Sequence, residues 1–231
     1  MTTPAAAAPL ATVLARIRDA ERRHGRAPGS VGLLAVSKQQ PPEAIAALAA
    51  SGQRAFGENY LQEALPKVAR LEGLGLSWHF IGRIQSNKTR DIAAHFTWVH
   101  TLDRLKIAER LDAQRPPGLP PLECLVEVNV SGEASKGGID PAALPELLAC
   151  CRELPRLRLR GLMALPAPED DFARQRAGFR RVREALAALG DPTLDTLSMG
   201  TSGDFEAAIA EGATIVRIGT ALFGARPRAE G

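Results

Sequence analysis

The sequence predicts an α/β protein, a single (β/α)8 barrel of the TIM type with an extra N-terminal helix. Short apolar runs rich in β-branched or aromatic residues alternate with longer segments of helical periodicity, and this alternation continues to the C-terminus. Eight such runs fit into about 200 residues after an N-terminal helical segment, which is the minimal length of such a barrel. An open, doubly wound sheet is the structural alternative, because a strand count alone does not distinguish the two.

The elements follow the chain in order. An Ala-rich N-terminal segment lacks a basic stretch before its short apolar run, so it predicts a helix rather than a signal peptide. The apolar runs predict strands at 31–37, 53–57, 76–82, 96–101, 122–130, 157–165, 194–199 and 214–219. Ala, Leu, Ile or Val at three- and four-residue spacing predicts helices at 42–51, 62–71, 103–114, 141–153 and 171–189.

One domain is predicted over 1–231, with an N-terminal helix and lead-in at 1–30 and the barrel at 31–226. No linker divides it, since the most Pro-rich stretch, 115–121, is typical of one helix-to-strand loop. Two nucleotide-binding motifs are missing. The first βα turn has no GxGxxG, and the glycine-rich segment 131–139 has Gly138 where a P-loop requires Lys.

Composition argues against several classes of protein. Lys plus Arg at 29 against Asp plus Glu at 26 gives a net charge of only +3, and few aromatic residues are available to stack on bases, so no nucleic-acid partner is expected. No apolar stretch approaches the ~18 residues of a membrane span. The three cysteines and four histidines form no metal-ligand spacing, and the cysteines indicate a reducing compartment. We expect a cytoplasmic protein without a metal.

Lys38 is the sharpest candidate for chemistry. The C-terminal ends of barrel strands form the active face, and Lys38 directly follows the apolar run 31–36, so it is predicted to project into the barrel mouth. Loss of hydration there favours the neutral amine, the nucleophile that forms a Schiff base with an aldehyde cofactor or a carbonyl substrate. The alternative is a lysine that merely extends to solvent at a strand end.

Small residues follow the last two predicted strands. The segments GTSGD at 200–204 and IGT at 218–220 are typical of the phosphate site of a barrel, which backbone N–H groups, hydroxyls and a helix N-terminus form. Gly200 and Gly203 permit close approach of a ligand, and Ser202 is predicted both to donate to phosphate and to cap the following helix. A plain turn with a helix cap is the alternative.

Arg217 lies inside the last apolar run, where an unpaired guanidinium would be costly, so it needs a specific acceptor. That acceptor is either a neighbouring acid in a structural salt bridge or the ring nitrogen of a bound heteroaromatic ligand. His79, near the end of another strand, is predicted to be a packed, hydrogen-bonded histidine. An amine nucleophile, a phosphate cradle and a cation at a ring nitrogen together describe pyridoxal 5'-phosphate held as an internal aldimine.

Six segments carry a resemblance to a known family. They are LLAVSKQQP, FGENYLQEALPK, WHFIGRIQSNKTR, VNVSGEASKGGI, LRGLMALPAP and LSMGTSGDFEAAIAEGATIVRIGTALFGAR. Over about 31–226 the chain closely resembles the pyridoxal phosphate homeostasis proteins, also called proline synthase co-transcribed homologue proteins. The resemblance implies a barrel similar to the N-terminal domain of alanine racemase. It also implies a cofactor site with Lys38 as Schiff base, Ser202, Gly219 and Thr220 at the phosphate, Arg217 at the pyridine nitrogen, and Asn59, Met163 and Met199 as lining.

The family is taken to bind, buffer and deliver the cofactor rather than to catalyse a metabolic reaction, so the resemblance implies a carrier whose partners are pyridoxal phosphate and apoenzymes that need it. We expect a monomer. The alternative is a small racemase or amino-acid decarboxylase, but racemisation needs a second base and the only tyrosine is Tyr60. Three residues depart from the commonest family pattern, namely Ile84, Thr201 and Ala213, and the last two concern the phosphate end.

Overall fold

Eight parallel strands close into a barrel in chain order, so that the first strand pairs with both the second and the last. This computed structural model describes residues 6–131 and 137–224. The strands are β1 (Gly32–Val36), β2 (Ala55–Glu58), β3 (Ser77–Phe80), β4 (Trp98–Leu102), β5 (Leu122–Glu127), β6 (Leu157–Met163), β7 (Thr196–Ser198) and β8 (Ile215–Ile218). The closed barrel confirms the predicted fold class and rules out the open sheet.

The described helices surround the barrel. They are α1 (Ala7–Arg23), α2 (Pro42–Ala50), α3 (Leu61–Arg70), α4 (Thr89–His95), α5 (Leu105–Gln114), α6 (Leu144–Arg152), α7 (Phe172–Ala188), α8 (Phe205–Ala210) and α9 (Thr220–Phe223). The extra N-terminal helix is confirmed as α1. The sequence pattern predicted no helix where α4 lies. Residues 1–5 of the predicted lead-in and 225–226 at the predicted end of the barrel lie outside the described residues.

All eight predicted strands exist, but several are shorter than their apolar runs. The run predicted as strand 122–130 leaves the ladder after Glu127, and the run 157–165 leaves it after Met163. Val128 and Ala164 follow these ends and are still buried. An apolar run reports burial, whereas a strand is defined by its hydrogen-bonded ladder, so the two differ where the chain stays buried beyond the ladder.

Side chains alternate along each strand, so one set points into the barrel lumen and the other into the layer between the strands and the helices. On β1, Leu33 and Ala35 belong to the large apolar core between barrel and helices. Leu34 pairs in register with Arg217 and therefore points with it into the barrel lumen. The lumen contains several polar side chains, and the buried ones include His79, His100, Ser198 and Arg217.

The N-terminal helix is attached to the start of β1 by a buried carboxylate. Glu21, 1% exposed, accepts hydrogen bonds from the backbone N–H groups of Gly29 and Val31, at 3.0 and 2.8 Å. Arg18 of the same helix donates to this carboxylate and to the carbonyl of Val31. The strand that leads to Lys38 is thus fixed at the residue that precedes it, Val31.

Candidate functional site

A cavity of about 320 Å³ opens at the C-terminal ends of the strands. The structure brings most of the predicted site residues together around it. The lining includes Lys38, Asn59, Met163, Ser202, Arg217, Gly219 and Thr220. Other lining residues that the sequence analysis did not single out as site residues include Val36, Gln40 and Ile81.

Lys38 reaches the cavity because of its register on β1. Leu34, Val36 and Lys38 are separated by two residues each, so all three point to the lumen side of the barrel. The side chain is half-buried, and its Nζ forms no hydrogen bond or ion pair with any residue that the structure describes. Gln39 then adopts a left-handed φ of 61°, and its N–H donates to Glu63 Oε2 at 3.1 Å. This bond holds the turn that directly follows the lysine.

Asn59 follows β2 beside the lysine. Its Oδ1 is buried and has no hydrogen-bond partner among the described residues. The backbone here is tightly enclosed, because a Cβ on Gly82 would lie 2.0 Å from the Asn59 carbonyl oxygen. Glycine is therefore required at position 82, and the cavity wall at Asn59 is rigid while its side-chain acceptor remains available.

Met199 was predicted to line the pocket, and the structure places it elsewhere. It is fully buried within the apolar core between barrel and helices and does not line the cavity. The reason is the two-residue period of a strand. Ser198 points into the lumen, so the next residue points to the helices.

The loop after β7 fixes its own threonine and leaves its serine available. Asp204 Oδ1 accepts hydrogen bonds from both the N–H and the hydroxyl of Thr201. Ser202 Oγ and the N–H groups of Ser202 and Gly203 form no hydrogen bond to any described residue. The hydroxyl and two amides are therefore free to bind an anion, whereas Thr201 is already committed.

Two details of this loop differ from the prediction. The N-cap of α8 is Asp204 and has no side-chain cap hydrogen bond, so Ser202 does not cap that helix. Gly200 has a φ of 92°, and a Cβ there would lie 2.6 Å from the Cβ of Ala208, so this glycine is explained by packing against α8 rather than by ligand approach. Gly203 faces open space.

Arg217 is 5% exposed and is held by two uncharged acceptors. Its Nη1 donates to Ser198 Oγ at 2.7 Å, and its Nη2 donates to the carbonyl oxygen of Ala164 at 3.0 Å. It forms no ion pair within the described residues, so the structural salt bridge considered as an alternative is wrong there. Burial lowers the pKa of Arg217 to about 10, with Asp204 and Glu127 opposing the shift, so the guanidinium remains charged at neutral pH.

A chain of hydrogen bonds extends from Arg217 through the lumen to the barrel surface, and we call it the histidine chain. Its members in order are Arg217, Ser198, His100, His79, Ser77 and Thr97. His79 is packed and hydrogen-bonded, as predicted. His100 was not predicted as a member of the site. It lies two residues after Trp98 in the strand predicted at 96–101, so the two side chains point to the same face of that strand. Burial lowers the pKa of His79 to about 3 and that of His100 well below its usual value.

A second buried polar network lies beside β1 and β2, and we call it the Glu58 cluster. Lys67 Nζ lies 2.9 Å from Glu58 Oε1 and donates to the carbonyl oxygen of Ser37, also at 2.9 Å. Ser37 Oγ donates to the same carboxylate oxygen at 2.6 Å. Lys67 lies within the helix predicted at 62–71, and no role was predicted for it. Its three-residue spacing from Leu61 and Ala64, which are buried on α3, was the available signal.

These residues fit pyridoxal phosphate on chemical grounds. The cofactor needs an amine, donors for a phosphate and a partner for a ring nitrogen. The cavity offers the unpaired Lys38 Nζ, the unpaired Ser202 Oγ with neighbouring amides, and a charged Arg217 with N–H groups to spare. No group of three or more side chains that could bind a metal occurs in the part of the chain that is described, and no described helix is long and apolar enough to span a membrane.

Fold and site together define a barrel of the alanine racemase type, and the family described as alanine racemase, N-terminal domain, matches residues 10–227. The chain is 63% identical over 217 residues to the pyridoxal phosphate homeostasis protein of Pseudomonas aeruginosa, covering 94% of each chain. It is 55% identical over 222 residues to the protein of that name from Escherichia coli K12, covering 94% and 95%. The chain therefore belongs to the pyridoxal phosphate homeostasis protein family, as the sequence motifs indicated.

Solved structures agree with this assignment. PipY of Synechococcus elongatus, solved with PLP bound, superposes with a TM-score of 0.79 at 39% identity, covering 91% of this chain and 100% of that one. Alanine racemase of Corynebacterium glutamicum superposes with a TM-score of 0.65 at 18% identity, and the match covers 96% of this chain and 62% of that one. The latter likeness concerns the fold alone.

Proposed function

We propose that this chain binds pyridoxal 5'-phosphate through Lys38 and serves cytoplasmic homeostasis of that cofactor by buffering and delivering it. The observation that carries the proposal is the half-buried, unpaired Lys38 Nζ at the end of β1, in a cavity that also presents unpaired anion donors. Membership of the homeostasis family, and the PLP bound in the PipY relative, support the same cofactor here.

Each lining group has a distinct task in this proposal. When bound, the cofactor supplies an aldehyde that an amine attacks reversibly, and Lys38 Nζ is that amine. Ser202 Oγ and the nearby amides hold the phosphate together with Gly219 and Thr220. Arg217 donates to the pyridine nitrogen, while Asn59 and Met163 form the walls.

Arg217 supports a carrier rather than an enzyme. A guanidinium that stays charged at neutral pH donates to the ring nitrogen and disfavours a proton there, which weakens the electron withdrawal that carbanion chemistry needs. The described lining residues also include no histidine, carboxylate, tyrosine or cysteine that could act as a second base. Tyr60 follows Asn59 but is 51% exposed and does not line the cavity.

The first experiment tests the attachment site. We expect the purified protein to be yellow, and borohydride treatment to fix the cofactor on the peptide that contains Lys38. Lys67 is the internal control, because its amine is paired with Glu58 and it must remain unlabelled. A label on another lysine, with Lys38 unmodified, contradicts the proposal. Lys88 and Lys136, which do not directly follow an apolar run in the sequence, are the lysines to check for such a label, and Lys136 lies outside the described residues.

The second experiment separates carrier from enzyme. The protein is incubated with L-alanine in deuterated water, with free cofactor as the control, while NMR follows Cα–H exchange and chiral chromatography follows D-alanine. We expect exchange close to the control rate, together with transfer of cofactor to an apoenzyme. Exchange or racemisation many orders of magnitude faster than the control would restore the racemase alternative, with Tyr60 as the first base to replace.

A further inference from the structure

The histidine chain connects the cavity to the barrel surface without a gap. Ser198 Oγ lies 2.9 Å from His100 Nδ1, and His100 Nε2 lies 2.9 Å from His79 Nδ1. His79 Nε2 lies 3.0 Å from Ser77 Oγ, which lies 2.8 Å from Thr97 Oγ1. Both histidines are buried, whereas Thr97 is exposed. The role proposed above for the cavity uses only the Arg217 end of this chain.

The protons of the chain can be placed starting from its surface end. Thr97 Oγ1 lies 3.1 Å from the carbonyl oxygen of Trp78, and when its single proton goes to that carbonyl, Ser77 is the donor of the bond to Thr97. Ser77 has only one proton, so His79 Nε2 must donate to Ser77. His79 is neutral in this environment, and its Nδ1 therefore accepts.

The same logic continues to the cavity. His100 Nε2 must donate to His79 Nδ1, and His100, also neutral, accepts at Nδ1. Ser198 consequently donates its only proton to His100 and presents a lone pair to Arg217. From the other end, arginine can only donate, so Ser198 accepts from Arg217, and His100 Nδ1 is the other described group to which the buried Ser198 hydroxyl is hydrogen-bonded and can give its proton; the two ends give the same direction.

We propose that His79 and His100 are positioning residues for Arg217, acting through Ser198. The inference rests on the proposed function, which places Arg217 at the pyridine nitrogen. A serine hydroxyl rotates freely unless its proton has a partner. His100 supplies that partner, and His79 selects the tautomer of His100 that can do so. The chain thereby keeps Ser198 an acceptor and fixes the direction of the remaining guanidinium N–H groups.

Two substitutions at one position test this role. The side-chain amide of Asn lies near the place of imidazole Nδ1, and that of Gln lies near the place of Nε2. His100→Asn therefore keeps an acceptor for Ser198, whereas His100→Gln keeps the bond to His79 and leaves Ser198 without one. A role in filling the core predicts the opposite order, because Gln is closer to His in size.

The readout is the 15N resonance of the pyridine nitrogen in labelled cofactor bound to each protein, with Arg217→Gln as the reference. We expect His100→Gln to shift the resonance most of the way to the Arg217→Gln value, and His100→Asn to leave it near the wild-type position. Equal shifts in the two variants, or no shift in either, overturn the inference. No shift in Arg217→Gln itself instead rejects the placement of Arg217 in the proposed function.

A measurement on the cofactor-free wild-type protein needs no variant. Histidine 15N spectra should show both His79 and His100 as neutral rings with the proton on Nε2, unchanged between pH 8 and 5. A proton on Nδ1 of either ring overturns the deduced direction of the chain, whatever the cofactor does.

Discussion

The Glu58 cluster and the histidine chain each contain a buried cation, and they stabilise it in different ways. In the Glu58 cluster, Lys67 is paired directly with a carboxylate that is fully buried. In the histidine chain, both acceptors that Arg217 has among the described residues are neutral, a serine hydroxyl and a backbone carbonyl. A carboxylate cancels the charge of its partner and occupies its donors, whereas neutral acceptors leave a net positive charge facing the cavity.

The same contrast distinguishes the two lysines near the end of β1. Lys67 donates to Glu58 and to the Ser37 carbonyl, so its amine is held in a buried ion pair and does not line the cavity. Lys38, the residue after Ser37, has no such partner among the described residues. A carboxylate partner therefore determines which of two neighbouring lysines serves structure and which is available for chemistry.

The largest expected effect comes from breaking the charged pair. Lys67→Met leaves the carboxylate of Glu58 buried without its cation, and we expect it to lower the free energy of unfolding by about 3 to 5 kcal/mol. Urea denaturation measures this. The double variant Glu58→Leu/Lys67→Met is the control and should recover most of the loss. Equal losses in the single and double variants would mean that the pair does not compensate charge as described.

Lowering the pH should change the contributions of the two networks to the free energy of unfolding in opposite directions. The folded-state pKa of His79 is about 3 against 6.5 for a free histidine, so its contribution is present above pH 6.5 and is lost as the pH falls towards 3, by about 1.4 kcal/mol per pH unit. Burial raises the pKa of Glu58, so its contribution instead grows as the pH falls through that pKa towards 4.5.

The measurement is the free energy of unfolding at pH 8, 6.5, 5 and 4 for the wild type and His79→Gln. Between pH 6.5 and 4 we expect the wild type to lose about 3 kcal/mol more than the variant, because only the wild type has this histidine to protonate on unfolding. Parallel curves would show that His79 is not buried in its neutral form.

A smaller effect is expected from removing the Ser198 hydroxyl, which is hydrogen-bonded to both Arg217 and His100. Ser198→Ala leaves a guanidinium N–H and His100 Nδ1 without partners, at an expected cost of about 2 kcal/mol in thermal or chemical denaturation. Ser77→Ala, at the surface end of the same chain, is the matched control. Water can replace the lost hydroxyl there, so it should cost less than about 1 kcal/mol. A larger loss of stability in Ser77→Ala than in Ser198→Ala would contradict this, because it would mean that the bonds at the surface end contribute more than those at Arg217.

The smallest effect concerns two adjacent hydroxyls that belong to neither network. Ser202→Ala should weaken cofactor retention by about 1.5 kcal/mol, or roughly tenfold in Kd, because Ser202 is the side chain proposed to donate to the charged phosphate. Thr201→Val should leave Kd nearly unchanged, since Thr201 already donates to Asp204. Equilibrium dialysis of both variants measures the difference, and equal retention by Ser202→Ala and the wild type would move the phosphate site elsewhere.

The residues that follow strand ends could be predicted from the sequence. Lys38 and Ser202 follow apolar runs, and the ends of parallel strands meet at one face of a barrel, so their convergence could be predicted without a structure. Met199 was wrongly predicted to line the pocket, because a continuous apolar run does not show which of its residues point to the lumen and which to the helices. A shift of one residue exchanges lumen and helix faces.

The roles of Lys67 and His100 could not be predicted from the sequence, for a different reason. Each becomes important only through a partner distant in sequence, Glu58 for the lysine and Ser198 for the histidine. Their spacing on a helix or strand indicated burial, but not the partner that makes burial tolerable. Such pairings arise from packing across the barrel, which a single sequence does not record.

The direction of the histidine chain has an electrostatic consequence for the barrel. In the direction proposed above, every donor points away from Arg217, so the bond dipoles and the dipoles of both imidazole rings have components in the same sense and add. Their negative ends face the guanidinium and their positive ends face the solvent near Thr97. A row of uncharged groups thereby stabilises a buried cation much as the C-terminal end of a helix does, without a counter-charge beside the guanidinium.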